Sequence, residues 1–140
     1  MTQRRKTTES EIDLSARGER VLVVEDKSIV RKMTKAMLSK LGYTVLEADN
    51  APKALALLQL EQQVHLLLTD VVLSGQLNGF DLAEQARRCC PGLKVLFMSG
   101  YTEAARPQHA KFDAYVQALE KPFTKEALGL MVRQALAGES

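Results

Sequence analysis

The run Leu66-Leu67-Leu68-Thr69-Asp70-Val71-Val72 constrains this chain more than any other stretch. A short, continuous apolar segment without polar alternation reads as a strand covered on both faces, as in parallel sheets flanked by helices. Its abrupt end in a carboxylate puts Asp70 at the C-terminal tip of that strand. Open parallel sheets bind their ligands just outside those tips. Three other apolar runs end in chemically active residues in the same way: Val21-Leu22-Val23-Val24-Glu25-Asp26, Val95-Leu96-Phe97-Met98-Ser99-Gly100 and Ala118-Leu119-Glu120-Lys121-Pro122.

The pattern between these runs is helical. Strands are expected at 21–25, 43–47, 65–70, 94–98 and 116–120. Ser28 can cap a helix whose buried stripe is Val30, Met33, Met37 and Leu41, with Gly42 ending it. Asn50 caps a second helix with Pro52 in its first turn, where a missing N–H costs little, and with Leu55 and Leu58 inward. The turn-rich residues 73–79 lead to a helix from about Phe80, with Leu82 and Ala86 inward and Pro91-Gly92 as its stop. Thr124 caps a last helix carrying Leu128, Met131, Val132 and Leu136. Strands alternating with amphipathic helices give an α/β fold, a doubly wound five-stranded parallel sheet with helices on both faces. Right-handed crossovers then gather the strand C-termini at one edge.

Composition narrows the function. With 140 residues, 46% apolar and 26% charged, the chain is the size and character of one globular domain. A net charge of +2 is too small to argue for nucleic acid. Arg4-Arg5-Lys6 lies in a polar stretch mixed with acids, and residues 1–19 read as a flexible arm ahead of a domain at 20–138. No apolar run reaches the roughly 18 residues that cross a bilayer, and the N-terminus lacks the apolar middle of a signal peptide. A cytoplasmic protein, monomeric or weakly dimeric, is expected. Cys89 and Cys90, adjacent at an expected helix end, fit reduced structural thiols. Met1 and a polar C-terminus lead us to expect a complete chain with no output domain.

Glu25, Asp26 and Asp70 would crowd together at the sheet edge. Like charges this close need a counter-ion or a raised pKa. Hard carboxylate oxygens with room for water suit Mg²⁺. A carboxylate can form an acyl phosphate once the phosphoryl oxygens are neutralised, and Mg²⁺, the Lys121 ammonium and the Ser99 hydroxyl would do that. Any one of these residues alone is more often a cap or surface group; four at four strand tips point to a site.

From about Arg20 to Leu136 the chain resembles the response-regulator receiver domains of two-component signalling, a flavodoxin-like fold. The matching pieces are Val23-Val24-Glu25-Asp26, Leu67-Leu68-Thr69-Asp70-Val71-Val72, Met98-Ser99-Gly100-Tyr101-Thr102 and Lys121-Pro122-Phe123-Thr124. Asn78-Gly79 and Ser99-Gly100-Tyr101-Thr102 are similar to receivers of hybrid histidine kinases. The resemblance implies that Asp70 accepts phosphate from a histidine of a sensor kinase or a histidine phosphotransfer protein. It implies that Asp26, Asp70 and the Val72 backbone carbonyl hold Mg²⁺, with Glu25 acting through water. Lys121 would bind the phosphate, Ser99 would turn toward it, and a cis peptide would precede Pro122.

The sequence departs from the family in several places. Ser74 stands where proline is common, and the loop at Gln76 is one residue longer. Neither change removes a ligand. Ala118 replaces an aromatic switch residue, and Pro107 falls in the expected helix between the fourth and fifth strands, which it would break or delay. The competing readings are a pseudo-receiver that keeps the fold without phosphotransfer, and an aspartyl-phosphate phosphatase. The phosphatase needs a second aspartate two residues after the nucleophile, where this chain has Val72. A nucleic-acid-binding role through a following helix-turn-helix is not expected.

Overall fold

The computed structural model describes residues 15–60, 63–75, 77–99 and 118–138. Five strands, β1 (Arg20–Val24), β2 (Thr44–Ala48), β3 (Leu66–Asp70), β4 (Lys94–Ser99) and β5 (Ala118–Glu120), form one sheet in the order β2-β1-β3-β4-β5. All four strand pairings are parallel. Four helices are described: α1 (Ser28–Lys40), α2 (Ala51–Leu60), α3 (Gly79–Cys89) and α4 (Lys125–Leu136). The doubly wound α/β architecture expected from the alternation is the one observed. The expected helix around Pro107, Tyr101 and the first two residues of the fifth strand lie outside the described residues.

Alternation along each buried strand divides the core in two. Leu22, Val24, Leu67 and Phe97 pack with Ala51, Ala54 and Leu58 of α2 and Leu82, Ala83 and Ala86 of α3. Val21, Val23, Leu66, Leu68, Leu96 and Met98 pack instead with Leu38 of α1 and with Leu128 and Val132 of α4. Every residue of β3 is buried, as the unbroken Leu66-Leu67-Leu68 run requires.

Three local expectations need correction. Met33 is 53% exposed, while Thr34 and Leu38 are the buried residues of α1. The inward stripe is therefore Thr34, Met37, Leu38 and Leu41, so the expectation holds for Met37 and Leu41 and fails for Met33. Thr34 can sit inside because its hydroxyl donates to the Val30 carbonyl at 2.8 Å, leaving only its methyl to pack. Ser28 does not cap α1: the N-cap position is Lys27, which makes no side-chain cap. The Lys27 N–H is instead drawn to the Glu25 carboxylate at 3.1 Å. The other caps form as expected, with Asn50 Oδ1 accepting from Lys53 N and Thr124 Oγ1 from Ala127 N.

Residues 15–19, which the sequence reading assigned to the arm, are tied to the domain. Ala16 N donates to the Leu41 carbonyl at 2.7 Å, and Glu19 accepts from Arg133 at 3.2 Å. Arg133 also donates to the buried Tyr43 hydroxyl at 3.3 Å, so one guanidinium of α4 joins the residue before β1 and the turn between α1 and β2.

Candidate functional site

The strand order reverses between β1 and β3, the position where the two helix layers diverge and leave a crevice at the strand C-termini. The register places the acids there. Val24 pairs with Thr69 and Asp70 with Met98, so Glu25 and Asp26 leave β1 at the level where Asp70 ends β3. Ser99 lies one residue further along β4 and pairs with Glu120, which puts Lys121 immediately beyond.

Glu25 and Asp70 are almost wholly buried, at 0% and 1% exposure, and Asp26 is half-buried. One carboxylate oxygen from each lies within 4.8 Å of the others. Lys121 Nζ donates to Asp70 Oδ2 at 3.0 Å and to Glu25 Oε1 at 3.1 Å. A single ammonium is thus shared by two buried carboxylates and cannot neutralise both. Burial, then the Asp70 charge, push the Glu25 carboxyl from its ordinary 4.5 up to about 7, against the pull of the Lys27 N–H and Lys121. Burial alone would lower Lys121, but its hydrogen bond and ion pair with Asp70, joined by Glu25, outweigh that and hold the ammonium above its ordinary range.

Ser99 is 1% exposed, and its Oγ has no hydrogen-bond partner among the described residues. A buried hydroxyl without a partner costs about 1–3 kcal/mol, which a ligand oxygen at this edge would relieve. Ser99 also fixes Lys121 through its carbonyl, which accepts Lys121 N–H at 2.8 Å. The Lys121–Pro122 peptide is cis, as the resemblance implied. Val72 leaves the strand into an exposed loop, with 42% of its surface accessible.

Two further residues support the site: Arg31, which the sequence did not single out, and Gly79, which it offered only as part of the Asn78-Gly79 resemblance. Arg31 donates to the Glu25 carbonyl at 2.8 Å and to Glu47 Oε1 at 3.2 Å, so the turn carrying Glu25 and Asp26 is anchored from α1. An arginine so near a helix N-terminus opposes the helix dipole, and that placement was the available signal. Gly79 N–H donates to the Val71 carbonyl at 2.7 Å, and a Cβ built there would stand 2.1 Å from the Asp70 carbonyl oxygen. The N-terminus of α3 therefore lies directly on the backbone that carries Asp70. A reciprocal cap holds it, with Asp81 N–H donating to Asn78 Oδ1 at 2.8 Å and Asn78 N–H to Asp81 Oδ2 at 3.3 Å.

The profile of the response regulator receiver domain matches residues 21–133. The chain belongs to the response regulator receiver domain family. It is 35% identical over 104 residues to the response regulator receiver protein CpdR of Brucella abortus, covering 74% of this chain and 85% of that protein. It is also 35% identical over 132 residues to the sensor kinase CckA of the same organism, covering 94% of this chain. The chain spans only 14% of that kinase's length. Among solved structures it is similar to a CheY-like receiver domain protein from Methanospirillum hungatei, with 29% identity and a TM-score of 0.75 over 86% of this chain and 95% of that one. NtrX from Brucella abortus gives 28% identity and a TM-score of 0.77 over 86% of this chain and 27% of its own length. A receiver domain is a signalling module of two-component systems rather than an enzyme acting on a separate metabolite. No helix among the described residues is long and apolar enough to cross a membrane.

Proposed function

We propose that this receiver takes a phosphoryl group on Asp70 from a histidine of a sensor kinase or histidine phosphotransfer protein, and relays it or signals through protein contact. An Asp70 carboxylate oxygen forms the new bond to phosphorus as the phosphorus–nitrogen bond of the donor breaks, and the imidazole leaves with the electron pair. The observation that carries this reading is the Lys121 ammonium held 3.0 Å from Asp70 Oδ2 amid three clustered carboxylates. A group placed so close to the attacking oxygen sits where the charge of an arriving phosphoryl group accumulates.

The acid cluster fits Mg²⁺. Its donors are hard oxygens, and three carboxylates facing one ammonium leave negative charge that Glu25 offsets by holding its proton up to about 7. Asp26, Asp70 and the Val72 carbonyl would hold the ion, with Glu25 reaching it through water. When bound, the ion offsets charge on the acids and on the phosphoryl oxygens. Lys121 takes a phosphoryl oxygen, and Ser99 turns its buried hydroxyl toward another. The similarity to the receiver protein CpdR supports phosphoacceptance, and the similarity to part of the sensor kinase CckA supports a relay.

Calorimetric titration with Mg²⁺ tests the division of roles. Asp26→Ala removes a ligand and weakens binding strongly. Lys121→Ala removes a competing positive charge, so it binds Mg²⁺ at least as tightly as the native protein while losing phosphorylation. Equal loss of Mg²⁺ affinity in both variants would contradict the assignment.

A further inference from the structure

The chain's two cysteines meet at the exit of α3, about 15 Å along that helix from Gly79, the end at which it meets the acid cluster. Side chains of adjacent helical residues diverge by about 100°, but Cys90 has already left the helix, with φ −134° and ψ 85°. That exit swings its thiol back toward Cys89. Cys90 Sγ donates to Cys89 Sγ at 3.6 Å, and Cys89 is exposed. The turn is pinned on both sides, by Cys90 N–H on the Ala86 carbonyl at 2.8 Å and Leu93 N–H on the Cys90 carbonyl at 3.0 Å.

This geometry discriminates between two fates of a thiol pair. A disulfide needs sulfurs about 2.05 Å apart and Cα atoms about 4.4–6.8 Å apart, whereas neighbours across a trans peptide are held at about 3.8 Å. One atom inserted between the sulfurs has no such conflict. With bonds to sulfur of about 2.3 Å and angles of about 100–110°, two sulfurs bridged by a single atom stand about 3.5–3.8 Å apart. The observed 3.6 Å falls in that range.

We propose that Cys89 and Cys90 form a chelating dithiol that takes up one trivalent arsenic oxo species. The pair favours such a species over a bare soft cation for a chemical reason. Two sulfurs and its own substituent complete the coordination of trivalent arsenic, whereas a structural Zn²⁺ takes four ligands. Burial and the Cys89 sulfur also hold the Cys90 thiol above its ordinary range, which leaves less thiolate for a cation. An arsenical R–As=O needs no prior thiolate. Two As–S bonds form, the As=O bond breaks, and the oxygen departs as water with both thiol protons, without any change of oxidation state. The thiols border an open groove of about 1150 Å³ that also runs past His65, Pro91 and Leu93, which leaves room for the substituent on arsenic.

Phenylarsine oxide and intact-protein mass spectrometry test this on the full chain. The native protein gains one phenylarsenic group and loses two hydrogens. Excess monothiol leaves the adduct in place, and a competing dithiol strips it. Cys89→Ser and Cys90→Ser each form no monothiol-resistant adduct, while Asp70→Asn forms it as the native protein does. Removal of the native adduct by monothiol, or a resistant adduct in either serine variant, would overturn the proposal.

Discussion

Gly79→Ala isolates the contact between α3 and the strand that carries Asp70. The added methyl would lie 2.1 Å from the Asp70 carbonyl oxygen and 3.0 Å from the Asp70 carbonyl carbon and Val71 Cα. An ordinary carbon–oxygen contact is about 3.5 Å, so the two backbones must separate by roughly 1 Å or more. Neither side yields easily. Val71 N–H is bonded to the Met98 carbonyl at 2.9 Å, and Gly79 N–H to the Val71 carbonyl at 2.7 Å. Overpacking of this kind costs about 1–3 kcal/mol, and weakening the Gly79–Val71 bond adds about 0.5–1.5 kcal/mol. Alanine's better helix propensity returns at most about 1 kcal/mol. The net expectation is a loss of about 2 kcal/mol, which lowers Tm by about 5–10 °C in a domain of this size. Urea and thermal unfolding measure it. Gly92→Ala is the control, because its Cβ would meet nothing within 4 Å, and it is expected to be neutral or slightly stabilising. The same displacement moves Asp70 and the Val72 carbonyl, so Mg²⁺ affinity falls with stability in Gly79→Ala. A Gly79→Ala protein as stable as the native one, or more stable, would refute the reasoning.

Asn78→Ala removes one arm of the reciprocal cap on α3 and is expected to cost about 1 kcal/mol by urea unfolding, less than Gly79→Ala because no backbone must move. Glu47 carries a pH dependence. The Lys35 hydrogen bond outweighs burial and, with Lys35's charge and the Arg31 hydrogen bond, holds the carboxyl below its ordinary range, so its contribution is present above the unfolded carboxylate pKa and is lost as pH falls through the folded one. Glu47→Gln should therefore flatten the acid limb of Tm against pH. On α1, Ile29 and Met33 are 74% and 53% exposed one turn apart, just after Asp26, where the proposed function would bring a protein phosphodonor. Replacing both by glutamate should leave Tm nearly unchanged and slow transfer from a kinase, with no effect on transfer from a small phosphodonor; equal slowing with both donors would count against a docking role.

The parts of this molecule legible in the sequence are those set by local pattern. Unbroken apolar runs such as Leu66-Leu67-Leu68 identify buried parallel strands, and a residue that ends such a run must lie at the sheet edge, which is how Glu25, Asp70, Ser99 and Lys121 could be brought together without coordinates. Errors arose where polarity misled. Thr34 has no place in the apolar stripe expected for α1, because its hydroxyl partner, the Val30 carbonyl, exists only once the helix has formed. Ser28 looked like a cap, yet the site acid Glu25 takes the Lys27 N–H. Arg31, and the contact that makes Gly79 matter, were illegible for another reason: their importance lies in the Glu25 and Asp70 carbonyls they meet, and a backbone atom across a loop leaves no trace in residue spacing.

The central claim is that Asp70 is the phosphoacceptor. Intact-protein mass spectrometry after incubation with Mg²⁺ and a small phosphodonor tests it most directly. The native protein is expected to gain one alkali-labile phosphoryl group, lost when Mg²⁺ is chelated beforehand, and Asp70→Asn is expected to gain none. A native protein that stays unmodified at high donor concentration, or an Asp70→Asn variant that is modified to the same extent, would contradict the account.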